Sequence, residues 1–144
     1  MNLYIHPMSA NDIIHVINMD QVSSLKWPPQ YYFKSLTTNN YYAFLAQKDN
    51  QYAGNIMFRV KDKRLNIDKI VVIKSFRNLG IGQKLIDSAI HTGKKRNLAL
   101  AQLTVSYMNA QAIDFYAKQG FLIQAIQWHY YCDGEHGLKM YRKI

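Results

Sequence analysis

The chain has 144 residues, with 18 Lys and Arg against 9 Asp and Glu, which gives a formal net charge of +9. This length predicts one domain, residues 1–144, and the lone Cys132 excludes an internal disulfide. No apolar run reaches the roughly 20 residues needed to cross a membrane, and the N-terminus lacks the charged-then-apolar pattern of a signal sequence, so a cytoplasmic location is expected. The positive charge suits an anionic partner, although no motif points to nucleic acid.

The predicted elements follow the order β-α-α-β-β-β-α-β-α-β-β, which indicates a mixed α/β fold of about seven strands and four helices. Ser9 and Asp12 match a capping box before the first helix, and Pro28 or Pro29 suits the first turn of the second. Gly120 predicts the end of the fourth helix. The strands are predicted at 2–7, 41–47, 52–60, 64–73, 98–106, 121–127 and 137–142. The second helix is predicted to end near residue 35 and the third near 94–96, and the fourth is predicted to cover 109–119.

The stretch from Asp68 to Ile86 passes from a Val-rich strand through a loop into an amphipathic helix. A glycine-containing turn before a helix exposes backbone N–H groups that have no intrahelical partner. Together with the positive end of the helix dipole, these groups form a site for phosphate or pyrophosphate. Gly80 and Gly82 would let the backbone approach the anion, and Arg77 adds a positive charge. The same glycines could instead only relieve crowding at the turn, so both interpretations stay open.

Two motifs in this order resemble those of the GNAT acetyltransferases. Residues 77–82, RNLGIG, resemble the pyrophosphate-binding motif (Q/R)-x-x-G-x-(G/A). Residues 109–121, NAQAIDFYAKQGF, fill every specified position of the second signature, N-x-x-A-x-x-(F/L)-Y-x-K-x-G-F. The resemblance covers the chain from about residue 40 to its end, and it implies the GNAT fold with a central, mostly antiparallel mixed sheet. It also implies acetyl-coenzyme A as co-substrate, an amine as acceptor, and no metal.

The same resemblance implies roles for individual residues. Tyr116 would be the general acid, because a phenol with a pKa near 10 can protonate a departing thiolate whose thiol titrates near 8.5. Backbone N–H groups near Val72 and Ile73 would polarise the thioester carbonyl. Asn109 suits both a helix N-cap and a contact to the pantetheine arm. The residues expected to bind the co-substrate are Val71, Val72, Ile73, Arg77, Asn78, Leu79, Gly80, Ile81, Gly82, Gln83, Asn109, Phe115, Tyr116 and Lys118.

The general base is less clearly indicated. Towards its C-terminus the chain resembles the ribosomal-protein N-terminal acetyltransferases, in which a Glu is expected where this chain has Thr104. Asp68 is the preferred alternative, as in polyamine-type members, although a solvated strand-end carboxylate fits equally well. Glu135 and His129 rank below it. A weak base suits an N-terminal α-amine, with a pKa near 8, better than a lysine or polyamine amine near 10.4.

The predicted acceptor is therefore a protein or peptide N-terminal amine. The alternatives are a small-molecule amine (a polyamine, aminoglycoside or amino acid), an acetyl-coenzyme A sensor without turnover, and a basic RNA-associated protein. Cys132 is disfavoured as a nucleophile, since a lone Cys more often behaves as a small buried residue. A monomer or a homodimer is expected, because the C-terminal strands can lie at a sheet edge. The side chains predicted to line the acceptor pocket are Tyr31, Tyr32, Thr104, Tyr130 and Tyr131.

Overall fold

The computed structural model describes residues 2–22 and 27–144, which form seven strands and four α-helices in the predicted order. The strands are β1 (Leu3–Pro7), β2 (Tyr41–Lys48), β3 (Gln51–Lys61), β4 (Arg64–Val72), β5 (Leu100–Ser106), β6 (Leu122–Gln127) and β7 (Gly137–Lys143). The helices are α1 (Ile13–Val22), α2 (Gln30–Thr37), α3 (Ile81–Lys95) and α4 (Ala110–Lys118). Within these residues, no helix is both long and apolar enough to span a membrane.

Local signals place most of these boundaries. The Ser9 N–H donates to the Asp12 carboxylate at 2.9 Å, which confirms the capping box before α1. Asn109 caps α4 by accepting a hydrogen bond from the Ala112 N–H at 3.1 Å. Gly120 follows α4 with φ +89°, the left-handed conformation that glycine adopts without strain. In the structure β5 begins at Leu100, two residues later than predicted, because residues 98–99 are not part of the hydrogen-bonded strand.

One sheet carries the whole fold, in the strand order β1-β2-β3-β4-β5-β7-β6. All neighbouring strands are antiparallel except β4 and β5, which are parallel. The larger core lies between the sheet and the helices α3 and α4, and a smaller core lies under α1 and α2 on the other face. The predicted mixed, mostly antiparallel sheet is therefore confirmed.

The parallel strands β4 and β5 are paired only over their first halves. Their last pair joins Ile67 to Leu103, although the two strands continue to Val72 and Ser106. Beyond this pair the strands separate, so the backbone groups that face each other across the gap lack the ladder partners that a parallel sheet normally provides. The sheet therefore has a wedge-shaped opening in its middle, between β4 and β5.

A β-bulge in β4 stands at the start of this opening. Met57 of β3 pairs with Lys69 and the next residue, Phe58, pairs with Ile67, which leaves Asp68 as the extra residue. A bulge bends its strand and increases the local twist, and bulges are frequent beside active sites. The bulge thus brings the Asp68 carboxylate to the mouth of the opening.

Candidate active site

The loop between β4 and α3 contains the residues predicted to bind an anion. Gly80 precedes α3 with φ +79°, and Asn78 also has a positive φ, +63°. Nothing lies within 4 Å of the position that a Cβ on Gly80 would occupy, so the turn is open on its outer side. The first N–H groups of α3 have no intrahelical partner, and the Arg77 Nε donates to the Val72 carbonyl at 3.0 Å, which holds the side chain across the loop. These features fit a phosphate or pyrophosphate.

Gly82 connects the two sequence motifs. A Cβ at this position would lie 3.0 Å from two ring carbons of Phe115, which belongs to the second motif on α4. Such a distance is closer than ordinary van der Waals contact, so only glycine lets the two helices approach this far. The crowding interpretation of the sequence therefore applies to Gly82, whereas Gly80 is required by its backbone conformation.

We expect Gly82→Ala to weaken binding of the anionic co-substrate about tenfold. The added methyl group must displace Phe115 or the start of α3, and overpacking of this kind costs about 1–3 kcal/mol. Isothermal titration calorimetry with acetyl-coenzyme A measures the loss. The Phe115→Leu background should reduce the damage, because the smaller side chain leaves room for the methyl group. Equal losses in both backgrounds would contradict the contact.

A polar groove of about 210 Å³ opens on the α1/α2 face of the sheet, at the point where β4 and β5 separate. Its walls come from β3, β4, β5 and β7 together with the end of β6 and the loop after it. The lining residues are Arg59, Asn66, Ile67, Asp68, Gln102, Leu103, Thr104, Gln127, Tyr130 and Lys139. The structure therefore brings together three of the predicted residues: Asp68, Thr104 and Tyr130.

Asp68 is the carboxylate of this groove. Its Oδ1 lies 3.3 Å from the Arg59 Nε. Burial raises the pKa of Asp68 above its ordinary value, and the positive charges of Arg59 and Lys34 oppose that shift. A carboxyl group with a raised pKa is a better proton acceptor than a solvated one.

Thr104 cannot accept a proton at neutral pH, and its hydroxyl is already used. It donates to Gln127 Oε1 at 2.8 Å. Gly137 lies directly beside it, since a Cβ there would be 2.7 Å from the Thr104 methyl group and 3.1 Å from Tyr130. Sequence reasoning missed this glycine, which lies beside two groove residues. Its signal is the absence of a side chain at the first position of β7, opposite Ser106.

Tyr116 lies in the core on the α3 side rather than in the groove. Its side chain is 8% exposed and packs against Phe115 and Phe121, with ring centroids 5.3 and 5.9 Å away. Burial raises the pKa of Tyr116, and Tyr131 adds to the shift. Among the described residues its hydroxyl has no hydrogen-bond partner, so the proton is free to be donated to a ligand.

Tyr32 departs from its predicted position in the acceptor pocket. Its side chain is 1% exposed, and its hydroxyl donates to Asp20 Oδ2 at 2.6 Å in the core under α1 and α2. A hydroxyl that is buried among apolar groups requires such a partner. Tyr31, by contrast, is 42% exposed on the same helix. Neither Tyr31 nor Tyr32 is among the residues that line the groove.

Other predicted residues lie outside the groove. Glu135 and His129 lie between β6 and β7, where the His129 Nδ1 is 3.1 Å from the Gly134 carbonyl. Lys118 forms an exposed ion pair with Asp114 at 3.0 Å. Cys132 is exposed, which corrects the expectation that it is buried.

A buried polar cluster beside the groove was not anticipated from the sequence. Lys69 Nζ lies 2.8 Å from Asp20 Oδ2 and also donates to Asn55 Oδ1. Asn55 donates to Asp20 Oδ1 at 2.9 Å, so Asp20 accepts from Lys69, Asn55 and Tyr32. Burial lowers the pKa of Lys69, and the charge of Asp20 opposes the shift. The signal in the sequence is weak: Lys69 directly precedes the apolar run 70–73.

Comparison with known proteins agrees with the motifs. Residues 11–121 match the model of the Acetyltransferase (GNAT) family. An N-alpha-acetyltransferase of Sulfurisphaera tokodaii is 28% identical over 143 residues, which cover 90% of this chain and 86% of that protein. Among solved structures, the ribosomal-protein-S18-alanine N-acetyltransferase from Escherichia coli has a TM-score of 0.87 at 24% identity, over 99% and 94% of the two chains. A paia N-acetyltransferase from Thermoplasma acidophilum in complex with coenzyme A has a TM-score of 0.80 at 16% identity, over 100% of both chains.

Proposed function

Because the chain belongs to the acetyltransferase (GNAT) family and transfers an acetyl group from acetyl-coenzyme A to an amine, we propose that its acceptor is a protein or peptide N-terminal α-amine. The observation that carries the proposal is the open groove at the separation of β4 and β5, which Asp68 and Thr104 both line. A flexible chain end can enter an open groove, and an α-amine, with a pKa near 8, needs only a weak base. The name of the Sulfurisphaera tokodaii relative, N-alpha-acetyltransferase, supports the same acceptor.

The geometry suggests how the residues share the reaction. The N-terminus of α3 and Arg77 hold the pyrophosphate, and the end of β4 that is not paired with β5 holds the pantetheine arm. The thioester supplies the electrophilic carbonyl, so the amine nitrogen forms the new C–N bond as the C–S bond breaks. In our proposal Asp68 takes the proton from the amine, directly or through water, and Tyr116 gives a proton to the sulfur.

Asp68→Asn should lower kcat/KM about 100-fold, the typical contribution of one general base. The raised pKa of Asp68 also fixes the sign of its pH dependence. As the pH falls through that pKa, the carboxylate gains a proton and activity is lost. The α-amine titrates near pH 8 and sets a second limb of the pH–activity profile. Thiol-release kinetics over pH 5–9 measure both limbs.

Asp114→Asn is the matched control, because it removes an exposed carboxylate on α4 that does not line the groove. An Asp68→Asn variant that keeps wild-type activity and both limbs would assign the base to another group or to water alone.

A screen of amine classes tests the acceptor. Acetyl-coenzyme A should raise the melting temperature, since a ligand that binds only the native state stabilises it. Thiol release is then measured with peptides, polyamines, aminoglycosides and free amino acids. Turnover with unblocked peptides, and none with N-terminally blocked ones, supports the proposal. Turnover only with small amines would replace it, and a thermal shift without any turnover would indicate a sensor.

We further propose one domain over residues 1–144, a cytoplasmic location and a monomer or homodimer. The edge strand β6 supports the homodimer. Leu122 and Ile123 are each 59% exposed on it, and no charged residue interrupts the strand. An apolar, uncharged edge is suited to pairing with a second strand. Analytical ultracentrifugation distinguishes the two states.

A further inference from the structure

The charges of the groove point to an acidic acceptor. Resting on the proposed N-terminal α-amine function, we propose that the groove selects peptides whose second residue carries a carboxylate, with Lys139 as the residue that binds it. Neither the family membership nor the names of the relatives specifies this preference.

The groove carries more positive than negative charge. Its lining contains two cations, Arg59 and Lys139, and one carboxylate, Asp68. Asp68 is paired with Arg59, whereas Lys139 has no ion-pair partner among residues 2–22 and 27–144. Lys34 adds a third positive charge near the rim, because its ammonium lies over the rings of Tyr31 and Tyr41 and acts on Asp68. A carboxylate entering the groove therefore meets an unneutralised field, and an ammonium meets repulsion.

The position of Lys139 matches the second residue of a bound peptide. Lys139 is the β7 partner of Thr104, the first β5 residue beyond the last pair with β4. When the α-amine of a peptide reacts at the opening, the side chain of its first residue also lies there. The next Cα lies about 3.8 Å further along the chain, which brings the second side chain within reach of a long, flexible lysine one strand away.

Two buried polar atoms in the groove suit a peptide rather than a simple amine. Among the described residues, neither the Arg59 Nε nor the Gln102 Oε1 has a hydrogen-bond partner, although the Arg59 Nε lies 3.3 Å from the Asp68 carboxylate. One is a donor and the other an acceptor, and a peptide unit offers a carbonyl and an N–H in return. A buried polar group gains most when a ligand satisfies it. A small monoamine supplies at most one of these partners.

The test uses three hexapeptide amides that differ only at the second residue, with an unblocked N-terminal Ala followed by Glu, Gln or Lys. Wild-type protein should acetylate them with kcat/KM in the order Glu, Gln, Lys. We expect about a tenfold difference between Glu and Gln, the size of one charge-assisted hydrogen bond at a partly exposed site. Raising the ionic strength should reduce the difference.

Charge reversal at Lys139 separates recognition from folding. Lys139→Glu should reverse the order to Lys, Gln, Glu, a result that general destabilisation cannot produce. Lys143→Gln is the matched control, since Lys143 lies on the same strand but outside the groove and is exposed. It should keep the wild-type order.

The outcomes distinguish this inference from the proposed function on which it rests. Acetylation of all three peptides at equal rates, or an order that Lys139→Glu does not change, overturns the acidic preference and leaves the N-terminal function standing. A free acidic amino acid that reacts faster than the Glu peptide overturns the inference too. If no peptide is acetylated while small amines are, both the inference and the proposed function fall.

Discussion

Asp20→Ala is expected to lower the free energy of unfolding by about 3–5 kcal/mol, because it removes one partner of a buried ion pair and leaves the other charge uncompensated. Lys69 is 6% exposed and Asp20 is 0% exposed, so water cannot replace the lost carboxylate. The hydroxyl of Tyr32 and the amide of Asn55 lose their acceptor as well. Urea denaturation measures the change, and the melting temperature should fall by about 10 °C.

Two further variants make the result specific. Asp114→Ala breaks an exposed ion pair of α4, and such a pair contributes about 0.5 kcal/mol or less. The double variant Asp20→Leu, Lys69→Met removes both buried charges, and it should be more stable than Asp20→Ala, since an apolar pair of similar volume avoids the cost of burying charge. A double variant less stable than the single one would show that the ion pair itself is the stabilising feature.

The cluster also connects the N-terminal helices to the groove. Asp20 is on α1, Tyr32 on α2, and Lys69 on β4, directly after the bulged Asp68. The hydrogen bonds of the cluster therefore fasten the two N-terminal helices to the strand that carries the carboxylate of the groove. Activity should follow the same order as stability across these variants if this attachment positions Asp68.

The order of elements could be predicted from the sequence because its signals are local. The capping pair Ser9 and Asp12, the left-handed Gly120 and the N-cap Asn109 each act within a few residues of their position. Alternating apolar residues then identify the strands between these boundaries. The two motifs indicated the family, and the resemblance to that family implied the sheet. Neither motif contains any information on strand pairing.

The remaining features depend on contacts between distant segments. The bulge at Asp68 exists only against β3, and the gap beyond Ile67 exists only against β5. Tyr32 and Tyr31 are neighbours in the sequence, yet one is buried against Asp20 and the other is exposed, because successive positions of a helix face different directions. Lys69 could not be recognised as a buried charge without its partner on α1.

Tyr116→Phe is expected to reduce kcat about 100-fold while KM for acetyl-coenzyme A changes less than about threefold. The substitution removes one hydroxyl and keeps the ring that packs against Phe115 and Phe121. Because that hydroxyl has no partner among the described residues, its removal leaves no other polar group unsatisfied, and the melting temperature should hardly change. Steady-state thiol release and a thermal melt measure both quantities.

The raised pKa of Tyr116 gives this prediction a second readout. A phenol that titrates above its ordinary value near 10 stays protonated from about pH 6 to 9, so kcat should show no loss towards pH 9 from ionisation of this residue. Tyr4→Phe, at an exposed position on β1, is the matched control and should behave as wild type. If Tyr116→Phe kept its kcat, the proton for the departing sulfur would come from water or another side chain. A large loss with unchanged stability would instead place the hydroxyl in the reaction, since packing alone cannot account for it.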